Sequence, residues 1–311
     1  MVLSTIRKEN RRATNRPERL NRETPDGPRP TKRMIPDFRV FVDFDGTLVD
    51  PNVAILLVER FCEGGATLAH DVDRQLHSGE ITLREAWNRQ AALLPGDRLQ
   101  EMSDWAVANV PLRSGAKEFL NFLEERRTPV VVVSGGLDFY IQAVLRRENL
   151  SVPFLSDRLN RMDRGRVEVL HPYGHATCRL CGICKAQIVR SIVPSAERTV
   201  FIGDGSTDRY GAEVADIVFA RHRLKSYCQR SNVPFISFED FHDIRRTFDN
   251  WFAGREPVPV RASLGLMESP CPISQSISSG RASAGVLPAG IGTHPNGPPE
   301  DSTPSRASRP G

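Results

Sequence analysis

The chain has 311 residues, 42 Lys and Arg against 38 Asp and Glu, and 39% hydrophobic residues. That is enough for one large domain or two modest ones with a real core. No run approaches the 18 consecutive apolar residues of a membrane helix, so the membrane is not an expected partner. The formal charge of +4 is uneven: residues 1–33 carry ten Lys and Arg against four Asp and Glu, residues 255–311 five against four, and the middle is left near −3. A basic arm can touch a polyanion, but a solvated tail is the plainer reading, and nucleic acid is not an expected partner.

In chain order, residues 1–36 are rich in Arg, Asn, Pro and Glu without hydrophobic period and predict a disordered basic arm. The first twenty, MVLSTIRKENRRATNRPERL, lack the apolar stretch of a secretion signal, so the expected location is the cytoplasm. RVFVDF (39–44) predicts a buried strand. From about 53 to 108, VAILLVERF, LREAWNRQAALL and LQEMSDWAVANV have helical spacing and no convincing strand, which predicts a small helical cap inserted after the first strand. AKEFLNFLEERR (116–127) reads as a helix, PVVVVS (129–134) as a strand and DFYIQAVLRREN (138–149) as a helix. Three further strands are expected at TVFIGD (199–204), DIVFA (216–220) and VPFIS (233–237). From 255 the chain is built of Ser, Gly, Pro and Ala and predicts a disordered tail. The folded unit is thus 37–254, an α/β domain with a parallel sheet and helices on both faces. Ligands in such sheets sit at the carboxyl ends of the strands. There the sequence places Asp43, Ser134 and Asp204.

Four polar stations follow. Asp43, Asp45, Asp204 and Asp208 make an oxygen-rich set; clustered carboxylates repel unless a cation sits among them, and Mg2+ suits this donor count. Asp43 can then act as a nucleophile on phosphorus, and Asp45 can move the proton of the leaving oxygen. Ser134, with the backbone N–H groups of Gly135 and Gly136 at a helix start, can form a phosphate nest. Lys185, the only lysine between Lys117 and Lys225, can hold both the nucleophile and the phosphoryl group. Alone, each station has an ordinary reading as a surface turn. Together and in order, each at the end of an apolar run, they are hard to obtain by accident.

DFDGT (43–47), SGG (134–136), Lys185 and GDGSTD (203–208) resemble the four motifs of the haloacid dehalogenase superfamily of phosphohydrolases. The resemblance covers essentially all of 37–254. It implies a Rossmann-like core and catalysis through an aspartyl-phosphate. Position by position it makes Asp43 the nucleophile, Asp45 the general acid/base, Ser134 and Lys185 the phosphate-binding pair, Asp204 the magnesium carboxylate and Asp208 the second acid of that loop. Asp43 and the backbone carbonyl of Asp45 complete the implied metal shell. The finer resemblance is to the branch with a helical cap after the first motif, which includes phosphoserine phosphatases. Within it SGGLDFYI (134–141), CGICKAQIV (181–189), IGDGSTD (202–208) and ADIVFARHRL (215–224) resemble the methionine-salvage phosphatases, which implies 2-hydroxy-3-keto-5-methylthiopentenyl-1-phosphate as substrate. Asn52 stands where phosphoserine phosphatases place a glutamate against the substrate ammonium. Gly205 stands where the salvage enzymes have a serine, and the tails lie outside the family pattern.

The expected activity is therefore a magnesium-dependent phosphomonoesterase acting on a small phosphorylated metabolite. Phosphoserine or phosphocholine is the alternative substrate, and a phosphotransferase or mutase the alternative chemistry. Arg84, Glu85, Trp87 and Arg89 are candidates to face the pocket from the cap. Of the six cysteines, Cys178, Cys181 and Cys184 crowd into seven residues before Lys185. With His175 they can bind a structural Zn2+, though the equal spacing makes closure awkward; reduced thiols packed beside the lysine are the alternative.

Overall fold

The computed structural model describes residues 37–191, 197–259 and 271. The basic arm expected over 1–36 lies outside them, as does the expected tail apart from 255–259 and Cys271. A seven-stranded sheet organises the described residues, in the order β4 (Val167–Leu170), β3 (Phe154–Arg161), β2 (Val130–Leu137), β1 (Phe38–Val42), β5 (Arg198–Gly203), β6 (Ile217–Ala220) and β7 (Ile236–Ser237). β1 runs parallel to β2 on one side and to β5 on the other. β6 and the two-residue β7 continue the parallel set.

The β-branched runs are buried because both faces of the sheet are covered, as a parallel sheet requires. Alternate residues feed two cores. Phe38, Val40 and Val42 join Val132, Val200 and Ile202 in the larger cluster, and Phe41 joins Val131, Val133 and Phe201 in the smaller. The larger is walled by α5 (Ala116–Glu125), α6 (Asp138–Arg147) and α10 (Phe241–Phe252). The smaller is walled by α7 (Lys185–Ser191), α8 (Arg209–Val214) and α9 (His222–Arg230).

The block after β1 is helical throughout: α1 (Val53–Phe61), α2 (Gly65–Ser78), α3 (Leu83–Ala91) and α4 (Leu99–Asn109). Its two halves differ. Leu57, Val58 and Phe61 of α1 and Met102 and Ala106 of α4 belong to the main core, and the Arg147 guanidinium of α6 donates to the carbonyls of Val107 and Val110. Val72 of α2 and Ile81 and Ala86 at α3 make a separate small cluster with Leu68 and Leu76. The cap proper is thus α2–α3, of which α3 also reaches the main core through Trp87 and Ala91, carried on two helical stems that are part of the core wall.

Two strands escaped the sequence reading. β3 (Phe154–Arg161) pairs with β2 and then, past Asp157, forms an antiparallel ladder with β4 (Val167–Leu170). The run FLSDRLNR is buried only in its first half, so its second half lacks the apolar signature of a core strand. Conversely, the strand expected at 233–237 shrinks to its last two residues, and β2 runs on past Ser134 through an irregularity to Leu137.

Phe248 of α10 sits with its ring 5.4 Å from Phe38, 5.4 Å from Phe119 and 5.1 Å from Trp251, fully buried. Phe248→Ala is expected to cost about 3–5 kcal/mol, read as a lowered urea midpoint with unchanged m-value.

Candidate active site

The sheet order reverses at β1, which opens a crevice beyond the carboxyl ends of β1, β2 and β5. Asp43 follows β1 directly, Ser134 lies in β2, and Asp204 follows β5. Lys185 reaches them as the first residue of α7. Its Nζ donates to Asp43 Oδ1 and to Asp208 Oδ1, both at 2.6 Å, and all three side chains are buried. Asp208 in turn accepts the backbone N–H groups of Asp204 (3.0 Å) and Gly205 (2.8 Å) on Oδ2. Both of its oxygens are thereby engaged in holding the lysine and the loop.

Asp45 stands apart from this group. Its carboxylate accepts the Val53 N–H at the start of α1 (2.9 Å), the Tyr140 hydroxyl (2.7 Å) and the Ser134 hydroxyl (3.3 Å). The chain can turn this sharply because Gly46 adopts φ +78°, and a Cβ there would lie 2.5 Å from Asp204 Oδ2. Gly136 is fixed by space alone: a Cβ would lie 1.9 Å from the Tyr140 hydroxyl. The Gly136 N–H, expected to help cradle phosphate, donates to Ser134 Oγ at 3.0 Å. Gly135 lies beside it in the same extension of β2.

Burial and the neighbouring Asp208 push the Asp43 carboxyl well above its ordinary range, against the pull of Lys185. Burial raises Asp45 to about 6, opposed by its hydrogen bonds from Tyr140, Val53 and Ser134. Asp204 is also raised to about 6, by burial and by Asp208. For Lys185 burial favours the neutral amine, but Asp208 and Asp43 outweigh it and hold the ammonium above its usual range. The carboxylates therefore stand in a place that calls for another positive charge.

A magnesium ion fits the donors. Asp43, Asp204 and Asp208 offer oxygens that all lie within 4.8 Å of one another. Asp43 gives Oδ1 to Lys185, and Asp204 gives Oδ1 to the Thr47 hydroxyl at 2.9 Å, so each keeps Oδ2 for a cation. Asp208, expected as a second metal acid, is within reach of the same point, and its oxygens also accept from Lys185 and from two amides. The Asp45 side chain is not part of this set, so any share in a metal shell falls to its backbone carbonyl.

Three residues with structural hold on the site carried no signal of their own in the sequence. Tyr140, in the DFYI turn that opens α6, reaches Asp45. Thr47 orients Asp204. Arg113 donates to the carbonyls of Thr47 (2.9 Å) and Gly46 (2.7 Å) and so pins the loop after Asp45.

The cysteine loop runs beneath the cap. His171 Nε2 lies 2.8 Å from Asn88 Oδ1 of α3, and its Nδ1 lies 2.9 Å from the buried Asp157; the Arg84 N–H donates to the Leu180 carbonyl. The other cap candidates are held locally. Glu85 closes a capping box with Thr82, Arg89 donates to Gln75 at 2.8 Å, and Trp87 packs on the main core. Burial pushes the Cys181 thiol up to about 12 and Cys184 up to about 11.

A family model described as haloacid dehalogenase-like hydrolase matches residues 40–213. The chain belongs to the haloacid dehalogenase-like hydrolases. It is 28% identical over 211 residues to a 2-hydroxy-3-keto-5-methylthiopentenyl-1-phosphate phosphatase of Bacillus cereus, covering 67% of this chain and 94% of the relative. A Bacillus thuringiensis protein of the same name matches to the same extent. Family and relatives together make the chain a phosphatase. Its fold resembles that of a phosphoserine phosphatase solved as a phospho-aspartyl intermediate analogue, with TM-score 0.53, 21% identity, and 68% of this chain and 99% of the other covered. A phosphoserine phosphohydrolase-like protein from Francisella tularensis gives TM-score 0.53 at 18% identity, covering 68% of this chain and 99% of that one.

Removing the Tyr140 hydroxyl leaves a buried carboxyl short of one hydrogen bond, at a cost of about 1–3 kcal/mol. Tyr140→Phe is therefore expected to lower kcat roughly 5- to 150-fold with an unchanged circular dichroism spectrum, measured in steady-state assays.

Proposed function

We propose that this phosphatase hydrolyses a small phosphomonoester in two steps through a phosphorylated Asp43, with Mg2+ bound by Asp43 and Asp204. The observation that carries the reading is the separation of two carboxylates only two residues apart. Asp43 is held against an ammonium and Asp45 against a hydroxyl pair and a helix amide.

Asp43, aimed by Lys185, attacks phosphorus as the bond to the leaving oxygen breaks, and Asp45 gives that oxygen its proton. A carboxyl titrating near pH 6 can hold a proton for this step and yield it near neutrality. Water then attacks the phosphorus of the acyl phosphate while Asp45 takes a proton back, and phosphate and the Asp43 carboxylate are released. Ser134 and Lys185 bind the phosphoryl oxygens, with Gly135 beside them. When bound, the magnesium ion neutralises the charge that gathers on those oxygens. Asp208 acts through Lys185 and the loop it holds.

For the substrate we infer 2-hydroxy-3-keto-5-methylthiopentenyl-1-phosphate, the compound named for the Bacillus cereus relative. Asn52 supports this against phosphoserine. It is neutral, and its side-chain oxygen accepts the Ile55 N–H as the cap of α1, so no carboxylate stands there for a substrate ammonium. The cap is α2–α3, and the domain spans 37–254.

Asp43→Asn is expected to abolish hydrolysis of p-nitrophenyl phosphate with its circular dichroism unchanged; activity retained in that variant would remove Asp43 from the role. Chelation with EDTA should silence the wild type and added Mg2+ restore it. In a panel of phosphometabolites, the salvage enol phosphate should give the highest kcat/KM. Phosphoserine in first place would reverse the substrate assignment while leaving the chemistry intact.

A further inference from the structure

The cysteine loop is not needed by the reaction above, and the fold brings it something its sequence neighbourhood does not contain. Cys271, far along the chain beyond α10, is buried at 4% exposure against Cys184, Ala186 and Tyr210, with Leu180 and Cys181 packed on the same cluster. Cys178, Cys181, Cys184 and Cys271 all line one cavity, together with His175, Leu180, Thr207, Tyr210 and the stem of Lys185. Its free volume is about 10 Å³, room for roughly one water-sized sphere.

We propose that Cys178, Cys181, Cys184 and Cys271 form a tetrathiolate site for a single zinc ion, which clamps the chain beyond the catalytic domain onto the loop that delivers Lys185. Four sulfurs and no carboxylate select a soft, tetrahedral ion over magnesium, and the small cavity favours one ion over an iron–sulfur cluster. Three ligands in equal steps on one loop close poorly by themselves; a fourth from a distant segment removes that difficulty.

His175 is the rival fourth ligand, and its geometry argues against it. Its Nδ1 accepts the Cys178 N–H at 3.0 Å, which leaves the ring proton on Nε2 and turns the histidine into a brace for the first cysteine. The sulfurs must still draw inward. Among the described residues the three aspartates are the one group of three or more whose ligand atoms lie mutually within 4.8 Å. A tetrahedral shell with Zn–S bonds of about 2.3 Å puts the sulfurs about 3.8 Å apart. Cys178 and Cys181 lie outside regular secondary structure, where such a movement needs no helix or strand to shift.

The position gives the ion a purpose. Cys184 immediately precedes Lys185, whose ammonium bridges Asp43 and Asp208, and the same loop is tied to α3 through His171 and Asn88. A zinc ion here would fix the base of the lysine and the underside of the cap together.

The full chain, produced in zinc-supplemented medium and dialysed against EDTA, should retain stoichiometric zinc by elemental analysis and release it to a mercurial. The cobalt-substituted protein should show thiolate-to-cobalt charge-transfer absorption, which oxygen ligands at the aspartates do not produce. Cys271→Ser should keep the wild-type circular dichroism and lose the retained zinc, whereas Cys62→Ser, in the helical block, should keep it. Substoichiometric zinc in the wild type after reconstitution would overturn the proposal, as would full retention in Cys271→Ser. Should that variant fail to fold, the wild-type cobalt spectrum decides: intensity for four thiolates supports the site, and intensity for three or fewer refutes it.

Discussion

A lysine ammonium with no access to water sits between two carboxylates, and the arrangement of the site follows from that contact. Lys185 cannot remain charged at 1% exposure without Asp43 and Asp208, because an unpaired buried charge costs several kcal/mol. Each partner is fixed in return. Asp43 is aimed from the end of β1, and Asp208 folds the loop after β5 by taking the amides of Asp204 and Gly205. Three carboxylates against one ammonium still leave a surplus of negative charge. That surplus is the physical reason the proposed chemistry calls for a divalent cation, which together with the lysine must also offset the charge of an anionic substrate.

The sheet supplies the precision. β1 is paired along its whole length with β5 and from Val40 to Val42 with β2, so the residues leaving its carboxyl end start from a rigid base. The strand ends at Val42 and the chain turns away through Gly46, and Asp45 is taken up by a different set of groups: the α1 amide, Tyr140 and Ser134. Two carboxyls close in sequence are thus given separate environments, the condition under which one fold can run nucleophilic and proton-transfer steps at the same pH.

The apolar runs at 39–44, 129–134 and 199–204 were legible because a strand buried on both faces must be apolar throughout, and the polar residue that ends each run then stands out. The second half of β3 and all of β4 were not, since a ladder projecting from the sheet edge needs no apolar signature. The helical block was legible as helices, but nothing in its spacing tells that α1 and α4 belong to the core wall while α2 stands apart and α3 touches both clusters. Tyr140 reads as an ordinary core aromatic of α6, and only the approach of Gly136 brings its hydroxyl to Asp45. Asp208 had a legible type and an illegible partner: spacing placed an acid in the loop, while the contact that engages it crosses from α7. Cys271 sits in a stretch whose composition predicts a solvated tail, and one buried residue leaves no trace in composition.

The central claim is that Asp43 becomes phosphorylated, so that phosphorus is displaced twice. The most direct measurement is the configuration at phosphorus after hydrolysis of an isotopically chiral thiophosphate ester in labelled water. Two in-line displacements predict net retention. Inversion would mean that water attacks the substrate directly and would contradict the account.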